Sequence, residues 1–443
     1  TLDNDTLETD NNFYATNNFT DYAQTFLQEH LNNRSEDPFF LYLAYNAPHW
    51  PLQALPEDIE KYKGTYDKGY DMIREERYQR QLSSGLLKES NTTLSTRPEG
   101  RYELEGTWPN SRKAIPAWTS LSELQKEDLS LRMAIYAAMI DNVDQNIGKL
   151  IQFLDQEQKL DNTMIIFMSD NGGALGGALT GYNLDGNWGN FEIYGTEESF
   201  ISYGLGWANA SNTPFRMYKC YVHEGGIASP LIIQWPGMIS PENDNFERTP
   251  AHVIDIMPTI LEAAGTDYPD HIPDRDIVEF QGQSLLPLMA GQSENFNSDR
   301  MLFWEHAGSK AIRYKNWKMS QVHKGEWELY DFNSDRTEMN NLIEIFQDTA
   351  EMMLNAYQNW AINNYVYPDA KSALPETFEE KDLVPVWMNA NQNAPQPVIV
   401  ANPLKNTLNP SDSVLLWTKA KQAPVYAGAM TELNAYDIRF KGD

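Results

Sequence analysis

The chain has 443 residues, 41% of them hydrophobic, with 12 Trp and 23 Tyr, which supports one large domain plus a smaller one and excludes wholesale disorder. Its formal net charge is −29; a surface this acidic disfavours nucleic acid and anionic membranes and leaves any anionic substrate in need of local cations. One cysteine, Cys220, excludes an internal disulfide, and the absence of any apolar run of about 18 residues excludes a spanning helix.

In chain order, the opening TLDNDTLETD has neither an initiator Met nor a signal peptide and reads as a start in mid-protein. Residues 19–31 place Tyr22, Phe26 and Leu27 on one helical face, with Thr20 or Asp21 as the cap. The unbroken apolar run 39–45 predicts a central parallel strand, stopped by Pro48, His49 and Pro51. Residues 57–118 read as polar and irregular, with a helical patch at IREERYQRQL and a loop at NTTLSTRPEG. The spacing of Ile135, Met139, Val143, Ile147, Ile151 and Leu154 predicts a long helix over 127–158. TMIIFMSDNGG (163–173) then predicts a strand buried on both faces. Residues 174–211, rich in Gly, Asn and aromatics, predict a long surface loop. SPLIIQWPG predicts a further strand, and 252–265 a helix stopped by glycine.

From 301 the texture changes to four short alternating segments in hairpin order, followed by a helix over 341–364. The expected organisation is therefore a main α/β domain over 1–300, a small α+β subdomain over 301–365, and a proline-rich tail over 366–443.

Three segments bring polar groups to strand ends, where α/β sheets bind ligands. Asp170 and Asn171 offer oxygens suited to a hard cation, and Gly172 and Gly173 let the backbone turn beside it. Taken alone, SDNG is ordinary turn chemistry, and His49 alone reads as a strand-end histidine. Lys219, five residues before Glu224, suits an anion or a leaving oxygen but alone reads as a solvated side chain. Trp188, Phe191, Tyr194 and Trp207 could stack on sugar or aryl rings or could simply pack their loop. Cys220 reads as a small packing residue.

As a linked set, PFFLYLAYNAPHWPLQ, KYKGTYDKGYDMIREERYQRQ, YAAMIDNVDQNIGKL, IIFMSDNGG, GWANASNTPFRMYKCYVHEGGIASPLIIQWPG, HVIDIMPTILEAAG and WELYDFNSDRTEMNNL resemble the formylglycine-dependent sulfatases, in particular bacterial arylsulfatases. The resemblance runs in family order over about residues 15–360. It implies an alkaline-phosphatase-like fold, with a large mixed sheet between helices and a smaller C-terminal antiparallel sheet plus helix. It implies sulfate-ester hydrolysis, with aryl or carbohydrate sulfates as substrates and a periplasmic or secreted location. By motif match, Asp170 and Asn171 would ligate Ca²⁺, Lys219 would contact the sulfate and the leaving oxygen, and His49 would contact the sulfate and protonate the leaving alcohol.

The family's nucleophile motif, Cys or Ser followed by x-Pro-x-Arg, does not occur. The nearest match is NTPFR, where Asn212 stands at the nucleophile position, and an amide cannot become formylglycine. The early metal-binding Asp pair is missing too. These departures imply an N-terminally incomplete sulfatase, with the formylglycine outside this chain and the chain alone inactive. A phosphodiesterase or phosphonate hydrolase of the same superfamily, and a non-catalytic sulfate-ester-binding relative, are the alternatives.

Overall fold

The computed structural model describes residues 13–95, 97, 115–174, 176, 181–183, 189–239, 246–269, 277, 279–323, 325–364, 366, 398–401 and 413–416. The rest of the proline-rich tail and Trp188 lie outside the described residues. Four helices build the first part: α1 (Ala15–Arg34), α2 (Pro56–Tyr62), α3 (Gly69–Ser83) and α4 (Glu123–Gln156). α1 starts earlier than the expected cap. Tyr14 is its N-cap, and the Thr20 hydroxyl instead donates to Thr16 O inside the helix at 3.0 Å. The helical patch expected at IREERYQRQL lies within α3, while α2 was not read from the sequence.

α4 begins with a capping box. Gln125 N donates to Ser122 Oγ at 3.3 Å, and Ser122 N donates to Gln125 Oε1 at 2.9 Å. Its apolar stripe buries Ile135, Met139, Val143 and Leu154, as helical spacing requires. A short helix, α5 (Leu205–Ser211), lies in the main core. Trp207 is fully buried there, its indole donating to Leu129 O at 2.8 Å. The expectation of a surface loop across 174–211 is therefore corrected for its second half. Tyr194 and Trp207 are core residues, because their rings pack against other apolar groups instead of facing water.

The strand β1 (Ile165–Met168) is followed by the one-turn helix α6 (Glu224–Ile227) and by β2 (Leu231–Gln234). β1 and β2 pair antiparallel, from Ile165 opposite Gln234 to Met168 opposite Leu231. β1 is not buried on both faces as expected; Phe167 and Met168 are 38% and 37% exposed. Residues 39–45 form no strand, and Phe40 and Tyr42 are exposed. A central strand needs donors and acceptors on both sides. Among the described residues β1 has only β2, and 39–45 has no ladder at all. The large mixed sheet is thus represented here by one antiparallel pair.

The helix α7 (Ile256–Ala263) ends at Gly265 in the left-handed region, φ +64°, and α8 (Leu286–Met289) follows. The C-terminal part then forms the expected antiparallel sheet in the order β3 (Met301–His306), β4 (Ser309–Tyr314), β5 (Trp317–Gln321), β6 (Trp327–Asp331). The register aligns Ile312, Met319 and Leu329 across three strands. α9 (Gln347–Asn363) covers that row with Met353, Tyr357 and Ala361. The period-2 pattern of the strands creates the apolar face, and the 3.6-residue pattern of α9 covers it.

Candidate active site

Asp170 and Asn171 follow directly on β1, where the chain turns. Gly172 N donates to Gly226 O at 2.9 Å, and Lys219 N donates to Gly173 O at 3.1 Å. The turn, the Lys219 segment and α6 are therefore stitched together through the backbone. The approach is so close that only glycine fits: a Cβ on Gly172 would stand 1.8 Å from Gly225 O, and one on Gly225 would stand 2.2 Å from Arg216 O.

Asn212, the first residue of the NTPFR segment, acts as a clamp. Its Oδ1 accepts from Gly173 N at 2.7 Å, while its Nδ2 donates to Met217 O at 3.0 Å and to Gly173 O at 3.3 Å. The side chain is committed to holding the Asp170–Gly173 turn against the Lys219 segment. That segment is itself tightly wound, with Met217 and Cys220 at φ +68° and +81°. The far end of the segment is fixed to the C-terminal sheet. Lys318 Nζ reaches Glu224 Oε1 at 2.7 Å and Glu338 Oε1 at 2.8 Å, and Glu224 N donates to Glu338 Oε2 at 2.8 Å. His223 Nε2 lies 2.9 Å from Glu328 Oε2.

His49 approaches from the 47–51 turn. Its Nδ1 is 2.6 Å from Trp50 O; a carbonyl only accepts, so Nδ1 carries the proton and Nε2 of the neutral ring keeps its lone pair. Loss of hydration lowers the His49 pKa most. The Trp50 bond raises it, Lys219 lowers it and Asp170 raises it. His49 therefore feels both Lys219 and Asp170. Lys219 also acts on Cys220, whose thiol burial pushes up and Lys219 pulls down. His306, at the end of β3, has its pKa lowered first by burial and then by Lys219.

The structure thus ties Asp170, Asn171 and Lys219 together by backbone hydrogen bonds and joins His49 to them electrostatically. The Asn212 clamp and His306 were not read from the sequence. His306 closes MLFWEH as His49 closes its own apolar run, which is the signal that could have found it.

A divalent cation fits this turn on one observation. Asn171 donates through Nδ2 to Gly172 O at 2.9 Å, but its buried Oδ1 has no hydrogen-bond partner among the described residues. Such an orphaned oxygen beside a carboxylate is the kind of group a hard cation satisfies. No cluster of three or more His, Cys, Asp or Glu side chains that could hold a metal occurs among the described residues.

An oxygen-rich turn at a strand end is where α/β proteins commonly bind ligands. Comparison with known proteins makes the class specific. The family model described as Sulfatase matches residues 1–266, and that described as N-sulphoglucosamine sulphohydrolase, C-terminal, matches residues 215–359. A sulfatase of Schizosaccharomyces pombe is 36% identical over 352 residues, covering 76% of this chain and 59% of the relative. The arylsulfatase of Klebsiella aerogenes is 29% identical over 290 residues, covering 64% and 58%. The chain belongs to the sulfatase family. Its fold is alkaline-phosphatase-like, as in the crystal structure of Ps i-CgsB in complex with k-i-k-neocarrahexaose, which matches with a TM-score of 0.50 and 23% identity over 82% of this chain and 58% of that one. The chain spans less than three fifths of the length of these two curated relatives. No helix among the described residues is long and apolar enough to cross a membrane.

Proposed function

We propose that this chain is the C-terminal portion of a sulfatase that hydrolyses carbohydrate or aryl sulfate esters in the periplasm or outside the cell. The nucleophile, a formylglycine in this family, would come from sequence outside this chain, so the chain alone would be inactive. The observation that carries this reading is the joining of Asp170, Asn171 and Lys219 through one backbone network, with His49 under the influence of two of them. Sulfated carbohydrate as the substrate class is supported by the structural relative bound to neocarrahexaose.

Asp170 and Asn171 would hold Ca²⁺, which when bound supplies positive charge to the sulfate oxygens. Lys219, half-buried on a rigid segment, would orient a sulfate oxygen and stabilise charge on the departing alcohol oxygen. His49 would present Nε2 to the ester. An anionic ester nearby favours the protonated ring, which then has a proton to give to the leaving group.

The test compares this chain with the complete gene product on an aryl sulfate and a sulfated monosaccharide, both with Ca²⁺. The reading expects sulfate release from the complete product only. Sulfate release by this chain alone would overturn the placement of the nucleophile, and none from either protein would overturn the activity.

A further inference from the structure

We infer that Trp50, Tyr182 and Phe200 form a stacking subsite for the pyranose ring that carries the sulfate. The Trp50 ring centre lies 5.2 Å from His49, 5.0 Å from Tyr182 and 5.6 Å from Phe200, so the four rings form one cluster around Trp50 beside His49. Phe200 is 38% exposed, although its neighbour Ile201 is fully buried.

This surface is rigidly built. Leu52 N donates to Ile201 O at 2.9 Å, and Ser202 N donates to Tyr182 O at 3.2 Å. Tyr182 N donates to Ser202 Oγ at 2.6 Å. The buried guanidinium of Arg132 donates to both Tyr182 O and Ser202 O, at 2.7 and 2.8 Å. Three separate chain segments are thus fixed in register beneath the rings. Phe200 packs edge-on against Trp50 yet keeps 38% of its surface exposed, and a pre-formed aromatic face suits a ligand because little entropy is lost on binding.

The ligand class follows from the chemistry around the rings. Aromatic faces are electron-rich and attract the C–H groups of a pyranose. Glu197 and Glu198, exposed three and two residues before Phe200, would offer acceptors to sugar hydroxyls, which an aryl group lacks. The inference rests on the proposed sulfatase activity and adds to it the partner of the leaving group. It also moves the stacking role from Tyr194 and Trp207, which are buried, to rings beside His49.

The test uses the complete gene product with Phe200→Ala and Phe200→Tyr, and three substrates: a monosulfated methyl pyranoside, phenyl sulfate and ethyl sulfate. Removing one stacked ring should raise KM for the pyranoside roughly threefold to tenfold, with kcat unchanged. Phe200→Tyr should restore KM, ethyl sulfate turnover should not change, and the melting midpoint should stay constant. An unchanged KM for the pyranoside, an equal change for ethyl sulfate, or a change confined to phenyl sulfate would each overturn the subsite while leaving the sulfatase activity intact. Absence of sulfate release from the unaltered protein on every substrate would reject the activity and the subsite together.

Discussion

Replacing Lys318 by Met probes the junction between the Lys219 segment and the C-terminal sheet. Lys318 and Glu338 are fully buried and the Glu224 side chain is 5% exposed, with Lys318 Nζ at 2.7 and 2.8 Å from the two carboxylates. Burial pushes the Glu224 carboxyl up, but Lys318, then Arg313 and Arg336, hold it below its usual value. Without the ammonium, two buried carboxylates face each other with only the arginines in reach. Breaking a buried pair in this way costs about 3–5 kcal/mol, a large part of a typical stability of about 5–15 kcal/mol. Urea unfolding of the chain reads this as a lower midpoint at unchanged slope. The pH dependence gives a second signature. In the native protein Glu224 has a depressed pKa, so its contribution is complete above the unfolded value near 4.5 and is lost as pH falls through the folded value. In Lys318→Met the buried Glu224 carboxylate loses its main cation and burial dominates, so stability should rise as the pH is lowered from 8 towards about 5. The triple replacement Lys318→Met, Glu224→Gln, Glu338→Gln should recover most of the loss, because no uncompensated charge remains. A loss below about 1 kcal/mol in the single variant, on the scale of an exposed ion pair, would refute the reasoning.

Gly172→Ala should destabilise by about 1–3 kcal/mol, seen in thermal unfolding, since its Cβ meets the Gly225 backbone oxygen at 1.8 Å and the backbone itself must shift. Asn171→Leu should leave stability equal or higher without Ca²⁺, because an unpartnered buried oxygen is removed. It should also abolish any rise in melting midpoint that Ca²⁺ produces. His252 is held at about 4 rather than 6.5, chiefly by burial and against the opposing pull of Asp255. Its neutral form therefore contributes stability above pH 6.5 that is lost progressively down to about 4. At roughly 1.4 kcal/mol per unit the maximum is about 3 kcal/mol. His252→Asn, which keeps an N-cap acceptor, should flatten that part of the stability–pH curve measured by urea titration.

The helices and the C-terminal sheet were legible because their patterns are local. The α4 stripe and the alternating residues of β3 to β6 each state their own periodicity. β1 and β2 were legible as strands too, but the burial of β1 on both faces and a strand over 39–45 were misread, because they depend on neighbours that the run itself does not specify. Phe40, Tyr42 and Phe167 show this, being apolar or aromatic yet exposed. At the site, Asp170, Asn171, His49 and Lys219 were each ambiguous alone and gained meaning only as an ordered set. Asn212 and Lys318 escaped because their roles are tertiary. One clamps a turn 39 residues away and the other pairs 94 residues away, and no spacing rule marks either.

The central claim is that His49, Lys219 and the Asp170–Asn171 turn serve one sulfate-ester site. Steady-state sulfate release by the complete gene product carrying His49→Ala, Lys219→Ala or Asn171→Ala tests it most directly, with unfolding curves showing that each variant folds. The account predicts a loss of about 100-fold or more in kcat/KM for each, the usual effect of removing a charge-stabilising or proton-transferring group. Near-native turnover in any folded variant would contradict it for that residue, and near-native turnover in all three would place the chemistry elsewhere in the fold.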